Sequence, residues 1–321
     1  MKKDTTKKQL HPRNPHNSRY DFDKLTKSFP DLKQFVALNK YDDLSIDFAN
    51  PKAVLALNKS LLAHYYEIEN WEIPEDYLVP PIPGRADYIH YIADLLAKSN
   101  NGKIPTKNIK ALDVGIGANC IYPIIGSYSY SWEFVGSDID EDALKSANNI
   151  INQNQHLTQK IKTIHQANKN NIFTNIINEN DKFDFTICNP PFHKSAQDAI
   201  QGTKRKVKNL TKSKEKLRRP TLNFGGQKNE LWCDGGEIEF ISKMIKESTK
   251  FKENCFWFTT LVSKQDNLPQ INHLLRNAHA TQVETINMAQ GNKISRIVAW
   301  TFLTKEMQNN WNKNKENQDA K

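Results

Sequence analysis

The sequence predicts an α/β protein in which a seven-stranded, mostly parallel sheet follows a helical extension. Three observations carry this. From about residue 108 onward, short apolar runs alternate with amphipathic stretches, the order that builds a parallel sheet with helices on both faces. Before that point no strand is evident, and apolar residues recur at helical spacing. Two short motifs, a glycine turn and an Asn-Pro-Pro-Phe turn, stand at strand ends, where open α/β sheets place their ligand sites.

Residues 1–20 carry Lys2, Lys3, Lys7, Lys8, Arg13 and Arg19, two prolines and almost nothing apolar. This composition predicts a disordered basic arm. Residues 21–105 read as the helical extension. Asn50 is a capping residue with Pro51 at the first helical position. Val54, Leu55, Leu57, Leu61 and Leu62 follow at helical spacing. Pro80-Pro81-Ile82-Pro83-Gly84-Arg85 reads as a stiff extended linker. A second amphipathic helix comes after it, with Tyr88, Ile89, Ile92, Leu95 and Leu96 on its apolar face.

The main domain is expected over 106–305. Strands are predicted at 110–114, 132–137, 160–166, 183–188, 255–261, 282–289 and 296–303. Helices are predicted near 119–126, 141–152, 236–250 and 268–278. The last two strands are joined through Gln290-Gly291-Asn292 and should pair as an antiparallel hairpin. One segment breaks the rhythm: residues 194–230 hold eleven Lys or Arg against three Asp or Glu and show no apolar period. A loop this long inside a domain is functional or disordered. The tail, 306–321, is rich in Asn and Lys and reads as a frayed helix.

Length and charge bound the function. The chain has 321 residues, room for one large domain plus an extension or for two domains. Lys and Arg outnumber Asp and Glu by 45 to 36, a net charge of +9, which makes a polyanion such as nucleic acid the first partner to consider. The four cysteines, Cys120, Cys188, Cys233 and Cys255, form no Cys-x-x-Cys pair and no zinc-spaced cluster with histidine. Cys120 and Cys188 read as small space-fillers inside the two motifs, and no metal site is expected. There is no secretory signal and no run of about 18 apolar residues, so a cytoplasmic location without a membrane span is expected.

The first motif is Leu112-Asp113-Val114-Gly115-Ile116-Gly117-Ala118-Asn119, at a strand end and a helix start. Its glycines permit a tight turn and close approach of a ligand to the backbone. The next strand ends in Asp138, whose carboxylate can accept two hydrogen bonds from a ribose diol. A nicotinamide dinucleotide site has the same two parts, but its fingerprint wants a third glycine where Cys120 stands. Asp113 is also awkward beside a pyrophosphate. It suits S-adenosylmethionine, which carries an ammonium and a sulfonium. Two plainer alternatives stand beside this: a strand–helix turn with no ligand, and an acidic cluster at 138–142 that merely caps the next helix.

The second motif is Asn189-Pro190-Pro191-Phe192 after the apolar strand 183–188. The two prolines stiffen the turn and remove two backbone donors. Two acceptors remain, the Asn189 side-chain oxygen and the Pro190 carbonyl. Together they can hold both hydrogens of a planar conjugated NH2 group and favour the pyramidal nitrogen of the transition state. Phe192 offers a stacking face for a base. No general base is needed, because a methylated nitrogen becomes acidic and loses its proton afterwards. His193 accordingly reads as a flanking surface histidine.

These features resemble one family, the RlmF-type adenine-N6 methyltransferases of bacterial large-subunit ribosomal RNA. The resemblance extends to 45–51, to Pro83-Gly84-Arg85-Ala86-Asp87-Tyr88-Ile89-His90, to Asn119-Cys120-Ile121-Tyr122-Pro123, to Gly235-Gly236-Glu237 and to 295–300. It implies the Rossmann-like class I methyltransferase fold, S-adenosyl-L-methionine as cofactor, and large-subunit ribosomal RNA or a ribosome assembly intermediate as partner. It further implies that Arg85, Gly115, Asp138, Asn168 and Asn189 hold the cofactor. Asp113 and Gly117 join them from the motif itself, with Asn189, Pro190 and Phe192 as the catalytic set. The basic arm and the basic loop are the expected RNA contacts, and a monomer is the default. Methylation of guanine N2 or of a protein glutamine amide uses the same acceptor geometry and stays open, as does a non-catalytic RNA-binding assembly factor.

Overall fold

A computed structural model describes residues 9–195, 197–198, 228–290 and 293–319. Ahead of the sheet lie α1 (Phe22–Ser28), strands β1 (Val36–Leu38) and β2 (Leu44–Ile46), α2 (Pro51–Tyr66) and α3 (Ile82–Lys98). The β1–β2 hairpin corrects the expectation of no strand here. Each strand is only three residues long, too short for a period-two pattern to show. Asn50 caps α2 as expected, its side chain accepting from the N–H groups of Lys52 and Ala53 at 3.0 and 3.4 Å. The expected linker at 80–85 is also corrected, because α3 already starts at Ile82. A proline is harmless in a first turn, where backbone N–H groups have no helical partner. Arg85 therefore sits on the first turn of a helix.

The arm is ordered where it is described. His11, Asn14 and His16 are buried. The His11 N–H donates to Asp87 (2.9 Å), the Asn14 amide donates to the Pro83 carbonyl (2.8 Å), and Arg13 pairs with Asp94 (2.7 Å). The His16 ring meets the Tyr66 hydroxyl at 2.9 Å. Disorder over 1–20 is thus corrected for 9–20, where polar side chains rather than apolar ones make the contact. Residues 1–8 lie outside the described residues.

The sheet strands are β3 (Lys110–Val114), β4 (Glu133–Asp138), β5 (Ile161–His165), β6 (Phe183–Cys188), β7 (Cys255–Val262), β8 (Gln282–Gln290) and β9 (Lys293–Thr301). Their order is β5-β4-β3-β6-β7-β9-β8. The β3–β4, β4–β5, β3–β6 and β6–β7 pairs are parallel, and β9 runs antiparallel between β7 and β8. The chain lays β4 and β5 on one side of β3 and returns to place β6 on the other, so a crevice opens at the carboxyl end of β3.

Along β9, Ile297 and Ala299 join one core while Val298 and Trp300 join the other, the alternation of a strand covered on both faces. The first core holds α3 with α4 (Ile121–Tyr130), the helix after β3. Further along the chain come α5 (Glu141–Gln153), α6 (Gln155–Thr158), α7 (Lys228–Leu231), α8 (Gly236–Ser248) and α9 (Leu268–Asn277). The second core is roofed by α8 and α9 through Ile241, Met244, Ile271 and Leu275.

The tail forms α10 (Lys305–Asp319) and is docked rather than frayed. The Trp311 indole donates to the buried Asp184 carboxylate (3.0 Å), to which Lys315 also bonds, and Asn312 donates to the Ser99 carbonyl (2.6 Å). No helix among the described residues is long and apolar enough to cross a membrane.

Candidate nucleotide and methyl-transfer site

The glycine turn is built by β3 and pinned by β4. The N–H groups of Gly115 and Ile116 both donate to the Ser137 carbonyl, at 2.8 and 3.0 Å. The Gly117 N–H donates to the Asp138 carboxylate at 2.9 Å. Gly115 has φ +76°, and a Cβ there would point into open space. The turn needs glycine for its backbone and leaves the ligand side uncovered. Cys120, where a dinucleotide fingerprint would want its third glycine, is buried and itself adopts a left-handed conformation, φ +52°, as the N-cap of α4.

Asp138 is half-buried, and its second oxygen accepts from the Asp140 N–H at 3.0 Å. Burial raises its pKa, opposed by these backbone donors. It does not cap α5. Asp140 does, accepting from Asp142 and Ala143. The capping alternative therefore belongs to Asp140, and Asp138 keeps a carboxylate edge on the cavity.

That cavity has a volume of about 370 Å³ and gathers residues far apart in sequence. Arg85 comes from α3, Gly115 and Gly117 from the turn, Asp138 from β4, and Asn189 and Pro191 from the end of β6. Among the described residues, no hydrogen bond holds the Asn189 side-chain amide. Asp113 lies behind the turn, 1% exposed, and neither carboxylate oxygen has a partner among the described residues. Burial, then the charge of Asp138, pushes its pKa well up against the pull of Arg85. Buried polar atoms without partners are rare and costly, by roughly 1–3 kcal/mol each. A buried acid with two empty oxygens, beside an arginine whose Nε is also unpartnered, fits the ammonium, sulfonium and carboxylate of S-adenosylmethionine.

Four predicted residues do not line the cavity: Asp113, behind the turn, and Asn168, Pro190 and Phe192. Asn168 is exposed and shapes its own turn: its N–H donates to Gln166 Oε1 (3.1 Å) and its side chain accepts from the Asn170 N–H (3.0 Å). The cavity wall there is made by Gln166, Lys169, Asn170 and Asn171 instead. Pro190 is buried and Phe192 is half-buried, and neither lines the cavity. The Phe192 ring lies 4.3 Å from the His193 ring, and the Phe192 carbonyl accepts from Lys264 Nζ at 3.4 Å.

His193 itself bridges to Trp232 as a strand fragment, with the His193 N–H on the Leu231 carbonyl (3.1 Å) and the Cys233 N–H on the His193 carbonyl (3.2 Å). A Cβ on Gly236 would come within 2.9 Å of the Lys194 side chain, so this glycine is needed for close approach. Both ends of the 194–230 segment are thus tied together beside the Asn-Pro-Pro-Phe turn. Residues 199–227 lie outside the described residues, and with them most of the expected basic loop. Sequence reasoning missed Tyr122 and Trp232 as lining residues. Tyr122 stands in a stretch that carries the family resemblance but no chemical motif, and nothing local marks Trp232.

Comparisons with known proteins agree with this geometry. A family described as RNA methyltransferase matches residues 4–304. A protein of Photobacterium profundum named ribosomal RNA large subunit methyltransferase F is 57% identical over 320 residues, covering 95% of each chain. One of the same name from Yersinia enterocolitica is 55% identical, covering 95% of this chain and 91% of its own. Among solved structures, the hMettl16 catalytic domain in complex with MAT2A 3'UTR hairpin 1 superposes with a TM-score of 0.76 at 29% identity, covering 92% of this chain and 96% of its own. The N-terminal domain of human METTL16 in complex with SAH gives 0.73 at 26%, covering 92% and 100%. With the family matched over most of its length, and relatives this similar from end to end, the chain belongs to the RNA methyltransferase family.

Proposed function

We propose that the protein transfers a methyl group from S-adenosylmethionine to the N6 amine of an adenine in large-subunit ribosomal RNA. The observation that carries this is one cavity, at the switch point of the sheet, into which Gly115, Asp138, Arg85 and Asn189 converge. When bound, S-adenosylmethionine supplies a methyl on a sulfonium, an electrophile that needs no further activation. Asp138 would accept from the ribose hydroxyls, and Gly115 and Gly117 would lie against the ligand through bare backbone. Asp113 would face the cationic groups.

Asn189 and the Pro190 carbonyl would hold the two hydrogens of the target amine and favour its pyramidal form. Phe192 would stack on the base once that base is flipped out of the RNA. The extra proton on the methylated nitrogen would pass to water. Asn168 would act by shaping the 166–171 wall. The names of the bacterial relatives, and the RNA and SAH complexes of the METTL16 structures, support this reading. The proposal extends to a monomer working in the cytoplasm on free RNA or on an assembly intermediate, with 21–105 contributing Arg85 to a site built mainly by 106–305.

The test is nucleoside mass analysis after incubation with S-adenosylmethionine and unmodified large-subunit RNA, beside Asn189→Ala. N6-methyladenosine should form with the parent protein and fall by about a hundredfold or more in the variant, the scale seen when one transition-state hydrogen bond is removed. Methylated guanine would overturn the substrate. SAH binding without transfer to RNA or to assembled particles would favour the non-catalytic assembly factor.

A further inference from the structure

Resting on the cofactor reading above, we infer that Tyr122, paired with Arg85, forms the subsite for the cofactor's amino-acid carboxylate and that its hydroxyl donates to it directly. Arg85 stands in the first turn of α3 and Tyr122 in the first turn of α4, so one residue comes from the extension and the other from the main domain. Both line the cavity. Arg85 Nη1 donates to the Tyr122 hydroxyl oxygen at 2.5 Å, and its guanidinium carbon lies 5.3 Å from the centre of the Tyr122 ring. The ring is buried and fixed edge-on against Tyr88, with centroids 5.4 Å apart.

This arrangement constrains the hydroxyl proton. The oxygen spends a lone pair on Arg85, so its own hydrogen must point elsewhere. Burial lifts the phenol to about 12 against the pull of Arg85, so the proton stays on at neutral pH. Among the described residues, no acceptor takes it. The Arg85 Nε–H is likewise buried without a partner, and no carboxylate among the described residues forms an ion pair with this guanidinium.

A hydroxyl donor and a half-buried guanidinium, both lining one cavity, call for an anion with more than one acceptor oxygen. A carboxylate meets a guanidinium and a hydroxyl in this way. The aromatic ring beneath the guanidinium holds it in place before the ligand arrives, which lowers the ordering cost of binding.

The experiment compares two ligands by calorimetry on the full chain. SAH carries the amino-acid group, and 5′-methylthioadenosine keeps adenine, ribose and sulfur but lacks it. Tyr122→Phe removes only the hydroxyl. It should weaken SAH about tenfold, equivalent to about 1.4 kcal/mol, and leave 5′-methylthioadenosine within twofold. Equal weakening of both ligands, or unchanged SAH binding, overturns the inference. Arg85→Lys provides a second arm, because lysine keeps the charge but loses the planar fork and the stack. It too should weaken SAH selectively, and the double variant should lose less than the product of the two singles. Arg85→Lys effects that are equal on the two ligands also reject the subsite, whether or not Tyr122→Phe folds. Failure of the parent protein to bind SAH would instead sink the cofactor reading itself.

Discussion

Asp113 is held in a state that folding alone does not favour. Its carboxylate is buried beside Asp138 with no hydrogen-bond partner among the described residues, and burial, then Asp138, raises its pKa. An unfolded aspartate titrates at about 3.9. Between that value and the raised folded value, the folded protein holds the extra proton, so the contribution to stability falls as pH rises through the window. Asp113→Asn removes the titration. At pH 7 the ligand-free variant should melt about 2 °C or more above the parent, on the scale of about 1 kcal/mol for a chain of this size, while SAH affinity drops. A variant no more stable than the parent would show that Asp113 is not a stability cost kept for ligand binding.

The segment over 9–20 and the tail helix α10 act as straps, and both are fastened by polar contacts. His16 and His90 are buried, and burial lowers each to about 4, with His11, Arg13 and His16 adding to the effect on His90 against Asp94. The unfolded chain takes up these protons near pH 6.5. Between about 6.5 and 4 the unfolded state binds more protons, so this stabilisation is complete above pH 6.5 and is lost as the pH falls. The stabilisation at stake is on the order of a few kcal/mol. Amide exchange at pH 5 should therefore rise first over 9–20 relative to pH 7.5, and His90→Gln should flatten the difference. A loss of protection spread evenly over the sheet would argue against local release. Asp184 holds α10 through Trp311 and Lys315 and caps the start of β3 through the Lys110 N–H at 2.8 Å.

Charge and topology together describe how RNA would approach. The basic residues cluster in 194–230, the segment that follows Asn189-Pro190-Pro191-Phe192 in the sequence. The loop's ends are clamped by the His193–Trp232 bridge and by Gly236 against Lys194. A deletion of residues 200–220 lies inside that clamp, so the cavity should survive it. The deletion should weaken RNA binding and flatten its salt dependence, by roughly 0.7–0.9 in the log–log slope for each phosphate that is no longer neutralised. SAH affinity should stay unchanged. Unaltered RNA affinity would reassign the loop to a solvated insertion.

Patterns carried by neighbouring residues are open to reading from the chain alone. The strands at 110–114 and 183–188 are found at those positions. The antiparallel hairpin, the glycine turn, the cavity-lining Asp138 and the Asn-Pro-Pro-Phe turn also follow from local periodicity and local backbone chemistry. What local order cannot express is which distant side chains meet. The docking of 9–20 depends on histidines and asparagines finding Asp87, Asp94 and Tyr66 across the fold, and a polar segment has no periodicity that announces such partners. The resemblance assigns Asn168 to the cofactor, whereas its hydrogen bonds close a turn, and Tyr122 and Trp232 enter the cavity unannounced. The Asp113 oxygens and the Arg85 Nε, unpartnered among the described residues, and the fixed hydroxyl of Tyr122 exist only as relations in space. Periodicity records which face of an element is buried, whereas a binding site is set by the atoms left without partners once all the elements have packed.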